Sequence, residues 1–373
     1  MPGVSERSRR SPSQLRDDLG WWRRGRLREW LPGRVDPGES RALAAYRGLV
    51  AQAFGQRPFR PEIVPLLWQG DEFVDVAGLK PFFSPARRER DNASHHYGHD
   101  IQLKRHAGLP LVGRPLPVLI EHGLMVSKEA SFEAPRHWTR GYVCMGPRRA
   151  RWLRERHGLE AHPIGPWIHY ARPVLEREAI ERLRGELGPT LLVVLAHSWD
   201  LVERRNDLPA AVAAIREIMS LGHYRQVIWL RHWKDPVDLP LPGGWIQACN
   251  GHRSNPWFLD ALRTLLEICD GMASNAFGTH LGYAVALGRR LHWLASGAEQ
   301  DLTGLATAEA ERERIEWRRR RELSEALAAL LGDPGRPPDP AGSSSAALID
   351  LLDPYWGFGS LRSPRELRRL LGR

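Results

Sequence analysis

Cysteine is nearly missing from this 373-residue sequence, and its three examples, Cys144, Cys249 and Cys269, are widely scattered. That excludes a disulfide framework and a cysteine-rich zinc site, and reduced thiols are the expectation. Lysine is almost as scarce: 4 of the 54 Lys+Arg residues are lysines, which leaves 50 arginines spread over the whole length. The formal net charge of +10 favours anionic partners. Yet the arginines form no single stripe, and no helix-turn-helix, zinc-finger or ribonucleoprotein signature accompanies them, so nucleic acid is not an expected partner. No long apolar run offers a transmembrane helix. The first thirty residues are Arg-rich and polar, without the apolar centre of a signal peptide, so a cytoplasmic protein is expected. There is no internal repeat.

What is present is a chain with 42% apolar residues, long enough for two domains, each with its own core. Residues 1–36 read as a basic arm. Leu15, Leu19, Trp22, Leu27, Trp30 and Leu31 alternate with Arg23, Arg24, Arg26 and Arg28, the pattern of a helix lying on an anionic membrane surface, which places a peripheral contact at the inner face of the membrane. Gly20 and Gly25 interrupt it, and an arm packed on its own domain or without fixed structure fits the same residues. A helical segment from about residue 39 leads to two short β-type runs, EIVPLLW and EFVDV. His95, His96 and His99 follow. They offer i, i+4 spacing but no carboxylate or thiol to complete a metal set, so they read as a polar helix start or acceptor-side surface and no metal is expected.

PLPVLIEHGLM (residues 115–125) is an apolar strand stopping at Glu121-His122-Gly123, which puts an imidazole at the carboxyl end of a strand. Ligands of open α/β sheets collect at that edge, where a histidine serves as a general base or merely ties down the loop. GYVCMG reads as a strand, PRRARWLRERHG as a helix opened by Pro147 and closed by Gly158, and HPIGPWIHYA as a strand leading out. A charged helix then crosses a domain boundary set near residues 172–189.

The second half alternates more cleanly. TLLVVLA, RQVIWLR, WIQACN, DGMAS and RLHWL read as five parallel strands, with helices in DLPAAVAAIREIMSLG, NPWFLDALRTLLEICD and after Gly278. The stretch 273–294, ASNAFGTHLGYAVALGRRLHWL, is its centre: strand, polar loop, helix, strand. Ser274, Asn275 and Thr279 offer hydrogen bonds, Gly278 permits close backbone approach, and the helix opening there aims its first N–H groups at whatever lies above the strand. A diphosphate fits; an ordinary capped helix uses the same residue types. His197, Ser198 and Trp199, then His232, Trp233 and Lys234, then Gly251 and His252, and finally residues 274–280, all follow strands and so converge on one sheet edge. Lys234, one of four lysines, suits a phosphate or a solvated loop. A long charged helix, a Pro/Gly/Ser linker (DPGRPPDPAGSSS) and a short basic helix opened by a Ser363 to Glu366 capping box end the chain.

LAHSWD, WLRHWKD, the CNGH segment with LDALRTLLEICD, SNAFGTHLGYAVALGRR, and in the first half EHG and IGPWIHYA, together resemble a group of bacterial proteins of capsular and surface polysaccharide loci that are similar to GT-B glycosyltransferases. The resemblance covers roughly residues 60–295. It implies an α/β, GT-B-like fold of two Rossmann-like domains facing across a cleft: an acceptor-side domain at 37–172, a nucleotide-sugar-binding domain at 189–332, and linker and C-terminal helices at 333–373. On that basis His122, with Glu121 beside it, deprotonates the acceptor. His197, Ser198, Lys234, His252, Ser274, Asn275, Gly278, Thr279 and His280 hold the donor diphosphate. The implied partners are a nucleotide-sugar donor and a saccharide or lipid-linked acceptor, with no separate cofactor. No Asp-x-Asp motif occurs, which argues against the metal-dependent GT-A arrangement. A nucleotide-sugar epimerase, a polyol-phosphate transferase, or a non-catalytic component of a polysaccharide assembly complex fit the same pattern.

Overall fold

The computed structural model describes residues 37–55, 59, 68–69, 72–73, 88–91, 93–111, 115–130, 134–198, 202–236, 238–332 and 346–372. The basic arm with its expected membrane contact, the linker at 333–345 and nearly all of the EIVPLLW and EFVDV runs lie outside the described residues. No helix among the described residues is long and apolar enough to cross a membrane.

In chain order the elements are α1 (Pro37–Gly55), a hairpin of β1 (Trp68–Gln69) and β2 (Glu72–Phe73), a 3-10 segment (Ala93–Gly98) running into α2 (His99–Ala107), β3 (Leu119–Ile120), β4 (Tyr142–Cys144), α3 (Pro147–His157), β5 (Ala161–Pro163) and α4 (Arg177–Leu187). The second half follows with β6 (Thr190–Val194), β7 (Glu203–Asn206), α5 (Leu208–Leu221), β8 (Gln226–Leu230), β9 (Ile246–Ala248), α6 (Phe258–Ile268), β10 (Gly271–Ser274), α7 (Thr279–Ala286), β11 (Arg290–Trp293), β12 (Ala298–Asp301) and α8 (Thr307–Leu331). Two more helices complete it, α9 (Ala346–Trp356) and α10 (Pro364–Gly372).

The fold is α/β, with two Rossmann-like parallel sheets meeting at a cleft. In the second half the strand order is β11-β10-β6-β8-β9, all parallel. The chain enters at the central strand, steps out through β8 and β9, then returns to the other side of β6 for β10 and β11. The reversal opens a crevice between the carboxyl ends of β6 and β10. The first half carries a smaller parallel sheet, β3-β4-β5.

Alternation along β6 explains the layering. Leu191 and Val193 face one way, against Ala211, Ile215 and Ile218 of α5. Leu192 and Val194 face the other way, toward Leu262, Leu265 and Leu266 of α6 and Leu281 of α7. That second cluster does not stop at the sheet. It runs on through Ile101, Ile120, Val143 and Trp167 of the first half, so the halves share one continuous core in place of the two separate cores expected. The terminal helices join it as well: Leu352 and Trp356 of α9 and Leu367 of α10 are buried there, against α3 and α2 of the first half.

Local signals account for most boundaries. Asp207 caps α5 by accepting from the Ala210 N–H at 3.0 Å. α3 opens on Pro147 and closes at Gly158, whose φ of 64° is the left-handed conformation that glycine tolerates. Ser363 and Glu366 form the expected capping box at α10. The stretch HPIGPWIHYA departs from a strand: only Ala161–Pro163 pairs, Gly165 turns the chain at φ 85°, and Trp167–His169 forms a 3-10 turn. The Ile164 and Gly165 N–H groups still reach Cys144 O and Met145 O, and the left-handed Gly165 followed by Pro166, which lacks an N–H, ends the pairing.

The junction is mounted on α6. Asp260, fully buried, takes both guanidinium nitrogens of Arg105 at 2.8 Å, the backbone N–H of Arg172 at 2.9 Å, and Arg47 at 3.6 Å. Nearby, the Trp257 indole donates to Leu43 O and the Val174 N–H to Thr264 Oγ1, each at 2.9 Å. Asp260→Asn leaves Arg105 without its counter-charge in a largely buried site and is expected to cost about 3–5 kcal/mol, as removal of one partner of such a pair does. Urea unfolding measures it; a loss below about 1 kcal/mol would show that apolar packing alone carries the junction.

Candidate functional site

A cavity of about 340 Å³ lies along the carboxyl edge of the five-stranded sheet, over the ends of β6, β8 and β9 and reaching the opening of α7, and lies in the size range of small-molecule sites. Tyr97, His99 and Gly123 come from the first half; the second half supplies the segments after β6, β8 and β9 and the openings of α6 and α7. Arg204, Arg231, Lys234 and Arg253 line it, with Asp235 as the acid among its lining residues. Trp229, Trp233, Phe258 and Tyr97 add flat apolar walls.

Six of the expected donor residues meet here: His197, Ser198, Lys234, His252, Thr279 and His280. His197 is exposed into the cavity and stacks on His232, ring centroids 4.6 Å apart and planes 14° apart. Surrounding protein and the charge of Arg204 hold His197 down to about 4. Burial, with His197 and Lys234 close by, takes His232 to about 2. His280, pushed down to about 3 by burial, His197 and Arg320, shares a 2.8 Å hydrogen bond through Nε2 with Ser274 Oγ. All three rings are therefore neutral near pH 7. Lys234 lies over the Trp233 face at 5.3 Å, and Trp233 meets the His252 ring edge-on. Ser198 Oγ accepts from the Arg204 N–H at 2.9 Å, joining the loop after β6 to β7.

Ser274, Asn275 and Gly278 stand outside the lining. Ser274 is fully buried beneath His280. Asn275 stitches the crevice from below: its Oδ1 accepts from the Ala196 N–H at 2.8 Å, and its Nδ2 donates to Asn206 Oδ1 at 2.8 Å and to Ser296 O at 2.9 Å. Asn206 in turn donates to Ala196 O at 2.7 Å. Gly278 makes room for the His280 ring, since a Cβ there would lie 2.7 Å from His280 Cε1. The Thr279 carbonyl accepts from the Trp356 indole at 3.1 Å, so α9 steadies the opening of α7.

Of the expected catalytic pair, the Glu121 carboxylate is buried, accepts from the Met145 N–H at 2.9 Å and pairs with Arg149 at 3.2 Å. It locks the end of β3 to β4 and α3. His122 follows, half-buried, its ring 5.3 Å from His96, and the neighbouring Gly123 lines the cavity instead. His99, read from the sequence with His95 and His96 as a polar helix start or acceptor-side surface, lines the cavity. Its Nδ1 sits 3.1 Å from Glu121 O, which as a carbonyl only accepts, so Nδ1 carries the proton and Nε2 the lone pair. The ring stacks on Trp167 at 4.7 Å, and burial followed by the charge of His122 takes it to about 3. Tyr97 precedes it in a left-handed conformation, φ 57°, with its N–H bonded across the junction to Arg253 O at 2.6 Å. Among the described residues no group of three or more His, Cys, Asp or Glu is arranged to hold a metal ion.

No protein-family model matches the chain, and no curated protein matches it. Among solved structures it is similar to UGT2 of Phytolacca americana complexed with UDP-2fluoro-glucose and pterostilbene, at 13% identity over 53% of this chain and 52% of that one, TM-score 0.25. The apo form of that protein matches at 14% identity over 58% and 54%, TM-score 0.23. A UDP-glucosyltransferase from Polygonum tinctorium, capable of glucosylating indoxyl and in complex with 3,4-dichloroaniline, matches at 14% identity over 63% and 49%, TM-score 0.25. The chain spans about half the length of each.

The contacts of Asn275 give a test of its place. Asn275→Ala leaves the Ala196 N–H and Ser296 O without these partners, and is expected to lower stability by about 2 kcal/mol or more, at about 1–3 kcal/mol per unsatisfied buried group. Thr279→Ala should leave the unfolding free energy within about 1 kcal/mol of the parent. Equal stability of both variants would mean that Asn275 does not close the crevice.

Proposed function

We propose that the protein is a glycosyltransferase whose nucleotide diphosphate donor lies along the carboxyl edge of the five-stranded sheet. One observation supports this above all: the cavity at the sheet's switch point combines four cationic side chains with aromatic walls. Phosphates require the cations and the opening of a helix, and a nucleobase requires a flat apolar surface. The motif resemblance extends the proposal to bacterial surface polysaccharide synthesis with a saccharide or lipid-linked acceptor.

In the reaction the bond from the anomeric carbon to the diphosphate oxygen breaks and a bond to the acceptor oxygen forms, so negative charge grows on the leaving diphosphate. The Thr279 hydroxyl, the first N–H groups of α7, Lys234 and Arg204 are assigned to that charge, which needs no metal ion. Arg204 suits the role because burial and Arg320 take it down only to about 10, leaving it charged at neutral pH. The acceptor proton goes to an imidazole of the first half. His122 is one assignment; His99 is the other, favoured by its place in the cavity lining and by the free lone pair that its bond to Glu121 O leaves on Nε2.

A thermal-shift screen of nucleotide sugars tests the reading: at about 100 times its dissociation constant a true donor stabilises the fold by roughly 2.7 kcal/mol. Thr279→Ala should weaken donor binding by about 1.5–3 kcal/mol, the value of a hydrogen bond to a charged group. The base should leave donor affinity unchanged when replaced by alanine and lose about 100-fold or more in turnover. Transfer assays on His122→Ala and His99→Ala decide between the two, and activity should survive a strong chelator. No stabilisation by any nucleoside diphosphate sugar would sink the proposal.

A further inference from the structure

The cavity holds more imidazole than a binding site built on fixed charge requires. His232 follows β8, His197 follows β6 and His280 opens α7, so three rings cross the carboxyl ends of adjacent strands at the switch point, and all three line the cavity. His197 and His232 are stacked face to face, and His197 is open to the cavity. We propose that the stacked His197–His232 pair is a switchable cation: it is neutral in the empty cavity and takes up one proton from solvent when a diphosphate enters. This rests on the proposed diphosphate occupant.

The groups facing the pair explain both states. Arg204 on β7, Arg231 and Lys234 after β8, Arg253 after β9, and Arg320 on α8 are cationic neighbours of the cavity and its imidazoles. His252 and His280 are further imidazoles. On the acidic side, the Asp235 carboxylate is engaged by the His232 N–H at 2.7 Å, while Glu313 and Glu316 pair with Arg204 and Arg320. In the empty cavity the surrounding protein and the nearby cations hold the proton affinity of all three rings down. A unit negative charge about 4 Å away, at an effective dielectric near 20, raises the proton affinity of an imidazole about a thousandfold. A phosphate charge beside the pair therefore opposes the cationic neighbours and the surrounding protein that hold His197 down. Two stacked imidazolium ions repel, so the pair takes one proton and not two.

The sign follows from linkage. A group whose proton affinity is higher in the bound state strengthens binding as pH falls through its bound value, and the gain ends below its free value. Binding should therefore tighten as the pH falls below neutrality, by up to about tenfold per pH unit, and stop tightening below about 4.

UDP-glucose is a suitable probe because its diphosphate, esterified at both ends, does not titrate in this range; inorganic pyrophosphate, corrected for its own ionisation, serves as a probe independent of the base. Calorimetric titrations at pH 6 and pH 8, each in two buffers of different ionisation enthalpy, read the protons taken up. Close to one proton at pH 6 and close to none at pH 8 is expected for UDP-glucose, with His197→Asn and His232→Asn each abolishing the pH 6 uptake. Uptake of no proton at pH 6, or uptake that persists in both variants, overturns the inference and leaves the donor proposal standing. Pyrophosphate binding with proton uptake, where no nucleotide sugar binds at any pH, keeps the inference and sinks the donor reading. Failure of both probes to bind at either pH overturns both.

Discussion

Everything at the cavity depends on one buried carboxylate. Asp260 has no contact with solvent, and its two oxygens are answered by Arg105, the Arg172 N–H and Arg47. A lone charge at that depth is untenable, and so is an unanswered guanidinium. The two halves are thus held in the one relation that satisfies both. The shared apolar core adds area but little direction, whereas the bidentate pair adds geometry. Because α6 carries Asp260 in its first turn and also presents Phe258 and Leu259 to the cavity, the same helix end sets the joint and a wall of the site.

Around the cavity, polar side chains fall into two groups by what they touch. Ser274, Asn275 and Glu121 stand off the lining and bond the His280 ring, the backbone or Asn206. The cations stay on the lining. A buried network of this kind is stable only when each member is answered, and here the answers come from the loops that a ligand would otherwise have to order. The crevice floor is tied by its own hydrogen bonds, which lowers the conformational cost of binding.

The second half was largely legible in the sequence because its strands are continuous apolar runs and its helices carry ordinary caps. TLLVV, QVIWL and GMAS became β6, β8 and β10 in the expected parallel sense, and their trailing polar residues did gather at one edge. Less legible was direction. Serine and asparagine serve equally as ligands and as internal hydrogen bonders, so the loop at 274–275 was placed correctly while the orientation of its amide was not written in the residue types. β7 and β12, ERRN and AEQD, lack any apolar alternation and gave no strand signal, yet their antiparallel pairing presents Arg204 to the cavity. Arg204 itself was hidden among fifty arginines. His99 was seen only as part of a histidine group, since its bond to Glu121 O and its stacking on Trp167 join segments far apart in the chain.

The terminal helices have a consequence for how the protein is made. Trp356 sits on Gly282, so closely that a Cβ there would lie 2.3 Å from the indole, and Arg368 of α10 donates to Ala107 O at the end of α2, 261 residues earlier in the chain. During synthesis the first half emerges with the faces of α2 and α3 uncovered, and they stay so until α9 and α10 have left the ribosome. Contacts of such sequence separation form late and slowly. The nascent chain therefore carries an unfinished apolar surface through most of its translation, and α7 gains its steadying indole only once α9 has emerged.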